Sequence, residues 1–310
     1  MEHISVLQKE TIDLLNVKEN GIYVDGTLGR GGHAKCVVSK SSNIHLYAFD
    51  KDEVAIEESK EHLKDYLDQI TFIHDDFCHM KEVLETYHVT KVDGIMMDLG
   101  VSSPQFDDPS RGFSYRYDAP LDMRMDQKQS LSAYEVVNTY SYEKLVHILQ
   151  AYGEERYAKS IARKIEIVRQ ENPIETTFQL VDVIKSALPM KELNKKGHPA
   201  KQTFQALRIE VNDELASLSA GLQEACQLLD IHGRCAVISF HSLEDRIVKN
   251  TFKDLTTAPS ALPKLPLLAS QMEQASFSLV NKKPIVASGI EIENNHRAHS
   301  AKLRVIERIK

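Results

Sequence analysis

The run Asp25-Gly26-Thr27-Leu28-Gly29-Arg30-Gly31-Gly32-His33 concentrates more chemistry than any other stretch of this sequence. Its glycines permit a sharp turn and let a ligand approach the backbone with no Cβ in the way. Asp50 stands 21 residues after Gly29, where a carboxylate suits the two hydroxyls of an adenosine ribose. Gly29-x-Gly31-x-x-Ala34 also satisfies the dinucleotide fingerprint, so a nicotinamide-dependent oxidoreductase is the rival reading. Against it, the glycines begin late and leave Asp25 and Thr27 in the loop. A carboxylate there repels a pyrophosphate but can face S-adenosyl-L-methionine, which carries an ammonium and a sulfonium and no phosphate.

Further polar groups close other apolar runs. Asp75-Asp76-Phe77 could flank an adenine, with one of the two aspartates expected to cap a helix. Asp98 opens Asp98-Leu99-Gly100-Val101-Ser102-Ser103-Pro104-Gln105 and points toward the crevice where open α/β sheets bind ligands. Ser103 before Pro104 reads as N-cap and N1 of a helix. In His241-Ser242-Leu243-Glu244-Asp245-Arg246, Ser242 and Asp245 read as a capping box, while His241 is a candidate for packing or for substrate contact.

These groups need a scaffold, and the first hundred residues supply one. Short apolar runs at 22–24, 44–49, 70–73 and 92–97 alternate with helical spacing at 53–67 and 80–87, which predicts parallel strands with helices on both faces. The next strand signal is Arg234 to Phe240. That gap is far longer than a crossover needs. Helical spacing at 142–152, 156–170 and 177–188 fills it. The chain therefore reads as a first core segment (1–104), an inserted helical substrate-recognition domain (105–205) and a second core segment (206–310). The last begins on one long helix, Phe204 to Leu229, and ends on a β-hairpin (283–292 and 301–309). Pro259, Pro263 and Pro266 mark an irregular stretch before that hairpin.

Net charge is −7, with 42% apolar and 27% charged residues. This excludes a disordered or fibrous chain. Charge is unevenly spread: Arg156 to Arg208 carries 11 Lys/Arg against 5 Asp/Glu. Such a basic module on an acidic remainder is an electrostatic footprint for a polyanion, or a solvated helix face. Arg156, Lys159 and Arg163, read as i, i+3 and i+7 on one helix, are the candidate RNA contacts. A non-catalytic RNA-binding protein would share that face. No apolar run approaches a membrane span, and the first residues lack a signal peptide, so a cytoplasmic protein is expected. Cys36, Cys78, Cys226 and Cys235 form no C-x-x-C pair and read as free thiols, so no metal site is expected.

The strings together resemble a known family. Asp25-Gly26-Thr27 with Gly31-Gly32-His33, Asp98 to Gln105, Arg111-Gly112-Phe113-Ser114, Leu121 to Asp126 and Tyr152-Gly153-Glu154-Glu155 are similar to the bacterial 16S rRNA cytosine-N4 methyltransferases, the RsmH/MraW family. So are His198-Pro199-Ala200, Thr203 to Arg208 and Ser239 to Arg246. The likeness spans nearly the whole chain; one departure is Arg297-Ala298-His299-Ser300, where the family often has Arg-Ala-Arg-Ser. It implies an α/β fold, a class I (Rossmann-like) S-adenosylmethionine-dependent methyltransferase core with an inserted all-helical domain. It implies 16S rRNA in the small ribosomal subunit as partner, and cofactor contacts at Gly31, Gly32, His33, Asp50, Phe77, Asp98 and Gln105. A homodimer is compatible with it.

The implied reaction is in-line displacement of a methyl group by an exocyclic amine. The cytosine N4 lone pair is delocalised into the ring, so the site must hold it close and accept its hydrogen. Asp98 and His241 are the candidate catalytic residues, Asp98 either as that acceptor or as a cofactor ligand. No cysteine lies in the Asp98–Gln105 loop, as a covalent attack on the ring would require.

Overall fold

The computed structural model describes residues 5–102, 105–106, 108–257 and 275–310. The chain divides into two compact units, Met1–Gly100 with Leu215–Lys310, and Val101–Glu214.

The first unit is a seven-stranded sheet. Its strands are β1 (Ile22–Asp25), β2 (His45–Asp50), β3 (Ile70–His74), β4 (Val92–Asp98), β5 (Leu229–Ser239), β6 (Phe277–Leu279) and β7 (Lys302–Arg308), in the order β3-β2-β1-β4-β5-β7-β6. Strands β3 to β5 pair in parallel, and β7 is antiparallel to both β5 and β6. This is the Rossmann-like α/β sheet that the sequence leads one to expect, with an antiparallel β7 added. Period-2 alternation fills both of its faces. Leu46, Ala48, Met96, Ala236 and Ile238 join one buried cluster. Their neighbours Tyr47, Phe49, Ile95, Met97 and Val237 join another. Strand order reverses between β1 and β4, so the crevice beyond their carboxyl ends is the natural ligand position.

In the first unit α1 (Gln8–Leu15), α2 (Gly32–Val38), α3 (Glu53–His62) and α4 (Met80–Thr86) accompany the first four strands. In the second, α5 (Ala133–Thr139), α6 (Tyr142–Ala151), α7 (Ala158–Glu171), α8 (Thr177–Ala187), α9 (Met190–Leu193) and α10 (Lys201–Asn212) surround their own core. Helix α7 buries Ala158, Ile161, Ala162 and Ile165, a helical stripe that leaves Lys159 and Arg163 on its exposed face. Helix α8 begins at a reciprocal capping box, Thr176 with Gln179.

Three sequence expectations are corrected here. The long helix expected over 204–229 is two, α10 and α11 (Glu214–Leu228), because Asp213 adopts φ 51°, ψ 38° and ends α10. Arg208 braces the break with a bidentate pair to Glu214, both bonds 2.7 Å. The expected terminal hairpin is reduced to one antiparallel bridge, Ile285 with Leu303, whose N–H groups donate to each other's carbonyls at 3.0 and 2.8 Å; 289–294 is helix α13 (Gly289–Asn294), capped by Ser288, and β7 pairs along its length with β5 and β6. Arg156 precedes α7, whose N-cap is Tyr157, so it does not share a helical face with Lys159 and Arg163. The expected helix start at Ser103-Pro104 and the irregular stretch marked by Pro259, Pro263 and Pro266 lie outside the described residues.

Candidate functional site

The loop after β1 is tied to the ends of two other strands. Leu28 N–H donates to the Phe49 carbonyl at 2.9 Å, and Gly29 N–H donates to Asp50 Oδ2 at 2.8 Å. Asp98 N–H donates to Thr27 Oγ1 at 2.6 Å. Thr27 therefore latches the loop to the end of β4, a role its sequence position did not reveal. Gly29 and Gly31 hold positive φ, 51° and 75°. The freedom from a Cβ serves the protein's own packing: at Gly31 a Cβ would lie 2.6 Å from Leu63 Cδ1, and at Gly32 2.0 Å from Ser5 Oγ. The expected clearance for a ligand is thus taken up by side chains at these two glycines.

Asp50 is held by two backbone donors, Gly29 N–H on Oδ2 and Asp52 N–H on Oδ1 at 2.9 Å. Each oxygen keeps a second lone pair, the capacity two ribose hydroxyls would use. Burial, only partly offset by those N–H groups, pushes its pKa up to about 6. Asp25 is 2% exposed and accepts Thr27 N–H at 3.0 Å; burial, with Asp50 adding to it, pushes its pKa up to about 7.

Asp98 is the most perturbed of the set. Its Oδ1 is shut from solvent and has no hydrogen-bond partner among the described residues. Oδ2 lies 3.7 Å from His33 Nδ1. Burial, then Asp25, then Glu244 push the Asp98 carboxyl well above the usual carboxylate range. His33 is 7% exposed, and its Nε2 donates to the Val6 carbonyl at 3.1 Å, which turns Nδ1 toward Asp98. Asp25, Asp50, His33 and Asp98 are thus gathered at the ends of β1, β2 and β4, and three of the four are carboxylates that burial makes costly to ionise.

Phe77 packs its ring against α11, where a Cβ at Gly221 would meet Phe77 Cδ2 at 2.4 Å. Asp76 is the helix cap of its pair, accepting from Cys78 N–H at 2.9 Å and from Ser217 Oγ at 2.6 Å, and Lys51 beside it holds its carboxyl below the usual range. Gln105 belongs to the second unit. Its Oε1 accepts Ser102 N–H at 3.0 Å, and its own N–H faces Ser102 Oγ at 3.4 Å.

The expected capping box after β5 is displaced by one residue. His241, not Ser242, is the N-cap of α12 (Ser242–Thr256), and Glu244 returns the bond. Glu244 Oε2 accepts Phe240 N–H at 2.7 Å, and Nδ1 of His241 faces Glu244 N–H at 3.4 Å. Asp245 instead binds Arg304 Nε at 2.7 Å and Lys302 Nζ at 3.1 Å, which hold its carboxyl low. His241 therefore has a structural occupation that its residue type, rare at caps, did not signal.

In the second unit Arg156, Lys159 and Arg163 are exposed. Arg163 pairs with Glu166 and lies over the Tyr142 ring at 4.5 Å. Burial raises the thiols of Cys36 and Cys78, the latter to about 12, and those of Cys226, to about 12, and Cys235. None is a poised nucleophile. Among the described residues no helix is long and apolar enough to cross a membrane.

A model of the MraW methylase family matches residues 1–309 of the chain. The chain is 54% identical over 313 residues to a ribosomal RNA small subunit methyltransferase H from Streptococcus mutans, covering 99% of this chain and 98% of that one. It is likewise 54% identical over 312 residues to the protein of the same name from Streptococcus pyogenes, with the same coverage of each.

Proposed function

This chain belongs to the MraW methylase family, and from that membership we propose that it transfers a methyl group from S-adenosyl-L-methionine to an rRNA base of the small ribosomal subunit. The base is the decoding-site cytosine at position 1402 of 16S rRNA, and the acceptor atom its exocyclic N4. The observation that carries this reading is the half-buried Asp98 carboxyl, whose Oδ1 is shut from solvent and has no partner among the described residues, beside Asp25 and Glu244. A buried carboxylate set is costly to keep charged and is relieved by a cation. S-adenosyl-L-methionine supplies an electrophilic methyl on a cationic sulfur. The residues present fit it. Asp50 has lone pairs free for ribose hydroxyls, Asp98 an oxygen free for a cationic donor, and Phe77 a half-buried ring for the adenine. A nicotinamide dinucleotide fits less well, because its pyrophosphate would face those same carboxylates.

The chain's residues then have a limited task. They hold the amine in line with the methyl group, exclude water and take up the amine proton. No cysteine nucleophile is needed for an exocyclic nitrogen, in keeping with four thiols that burial holds protonated. In the second unit, Gln105 is a cofactor contact and Arg156, Lys159 and Arg163 contact the RNA backbone. His241 serves chiefly as the cap of α12, and its candidacy as a catalytic residue rests on its position after β5 alone. The protein works in the cytoplasm, where its substrate is assembled.

The decisive experiment is mass mapping of 16S rRNA from cells with and without this protein, followed by restoration in vitro with purified protein and S-adenosyl-L-methionine. The expected result is one base methyl at cytosine 1402, lost and regained with the protein. A methyl at another base, or at carbon rather than nitrogen, would refute the assignment.

A further inference from the structure

Two of the sequence strings, Arg111-Gly112-Phe113-Ser114 and His198-Pro199-Ala200, have no part in the cofactor site, and in the second unit they bring a pair of rings together. Tyr115 directly follows the first string. Its ring is parallel to that of His198, with centroids 4.1 Å apart and 7° between planes. Phe204, 4% exposed, meets Tyr115 edge to face at 5.6 Å and 86°, and so anchors the stack to the core of the unit. Both stacked rings are themselves only half-buried. Among the described residues no other aromatic ring packs on the imidazole.

The pair is rigidly held. A Cβ at Gly112 would lie 2.2 Å from the Pro120 carbonyl oxygen, so the turn that delivers Tyr115 is tightly fitted. On the other side, His198 Nδ1 accepts Ala200 N–H at 3.3 Å, and the His198 carbonyl accepts Lys201 N–H at 3.1 Å. Burial and the charge of Lys185 hold the imidazole below its usual range, so the ring stacked at neutral pH is uncharged. Lys185 is close enough for its charge to act on the imidazole, while exposed Arg116, Lys196 and Lys201 are near neighbours of the two rings in the chain, Arg116 with its guanidinium over the Phe106 ring at 5.6 Å. A ring pair that only filled a core would be closed over, whereas both of these rings keep solvent-facing surface. A neutral aromatic face framed by positive charge is what an unpaired base with flanking phosphates recognises.

We infer that the Tyr115–His198 stack is a nucleobase-stacking subsite, which holds an unpaired base of the substrate RNA against the imidazole face while Arg116, Lys185 and Lys201 take the adjoining phosphates. The inference rests on RNA being the substrate. It adds a base contact to those of the proposed function, and stacking makes that contact tolerant of base identity.

The test uses the full-length protein and a 16S rRNA fragment carrying the decoding site, with 2-aminopurine placed at successive unpaired positions. In the wild type one position is quenched on binding, and Tyr115→Leu and His198→Leu abolish that quench. Both variants weaken RNA binding about 5- to 150-fold, the range for one lost base stack, with the salt slope unchanged. Tyr115→Phe keeps both affinity and quench. Lys185→Ala with Lys201→Ala flattens the salt slope. Leucine variants that bind RNA as tightly as the wild type overturn the inference, as does a wild-type complex in which no position is quenched; the latter needs no variant to fold. A wild-type protein that neither binds nor methylates the RNA refutes the proposed function itself, a result distinct from either.

Discussion

Replacing Asp98 by asparagine is expected to stabilise the ligand-free protein while weakening its cofactor site. Among the described residues, Asp98 Oδ1 has no hydrogen-bond partner and is sealed from solvent, and Oδ2 faces His33 Nδ1 at 3.7 Å. Burial, Asp25 and Glu244 raise its pKa in the folded chain. In the unfolded chain an aspartate titrates near about 3.9. Between those two values the folded state binds the extra proton, so stability falls as pH rises through that window. Asparagine has no such proton and escapes the loss. Its advantage over the wild type should be near zero at about pH 4 and grow as pH rises above that. Cofactor binding should move the other way. A hydrogen bond to a charged group contributes about 1.5–3 kcal/mol, so the variant should bind S-adenosyl-L-methionine about 10- to 150-fold more weakly. Thermal melts across that pH range, with and without cofactor, and calorimetric titration measure both. The expected pattern is a higher melting temperature without cofactor, a smaller shift on adding it, and kcat restored at saturating cofactor. A variant that melts below the wild type at pH 8 refutes the buried-carboxyl argument. Unchanged affinity with reduced kcat instead makes Asp98 the acceptor of the amine hydrogen.

Other outcomes can be checked in the same preparations. Asp50→Ala should weaken cofactor binding roughly tenfold or more, and also cost about 2 kcal/mol of stability or more, because Gly29 and Asp52 N–H both lose their acceptor; calorimetry and denaturant melts read the two effects separately. His241→Ala should cost about 0.5–2 kcal/mol through loss of the α12 cap, while His241→Asn, a good cap, should retain stability and full kcat; an Asn variant that is stable but inactive would return His241 to the catalytic set. Lys159→Ala with Arg163→Ala should weaken RNA binding and reduce the salt slope by about 1.5 to 2, and a double variant with the wild-type slope would leave these charges as mere solvated surface.

The parts of this molecule that a sequence displays best are those governed by short-range pattern. The loop at 25–33, the strand ends at Asp50 and Asp98 and the parallel order of the first four strands follow from alternation and glycine spacing. The burial stripe of α7 follows from helical spacing. What was hidden depends on single backbone conformations or on unusual side-chain roles. The apolar pattern runs on through Asp213, and only its left-handed φ, fixed by surrounding structure, separates α10 from α11. Ile290 and Ile292 alternate as a strand would, but Ser288 caps a short helix there and leaves Ile290 exposed. At the site, the glycines serve the protein's own packing as well as any ligand. Gly31 and Gly32 have no Cβ because Leu63 and Ser5 occupy that space, a long-range fact no local spacing carries. His241 was misplaced by a motif that expects serine; the neighbouring Glu244 belonged to the true cap.

The buried carboxylates of the first unit also bear on how a turnover ends. Methyl transfer leaves a neutral thioether where there had been a sulfonium, so the ligand loses one positive charge while its shape hardly changes. Asp25, Asp98 and Glu244 stay where they were, with Asp98 again costly to ionise. If these carboxyls face the sulfonium as proposed, the site grips the spent cofactor less firmly than the fresh one, through charge alone. Exchange is then driven by the chemistry just completed. At lower pH, where Asp25 and Asp98 take up protons, the distinction between fresh and spent cofactor narrows, and the spent form competes more effectively.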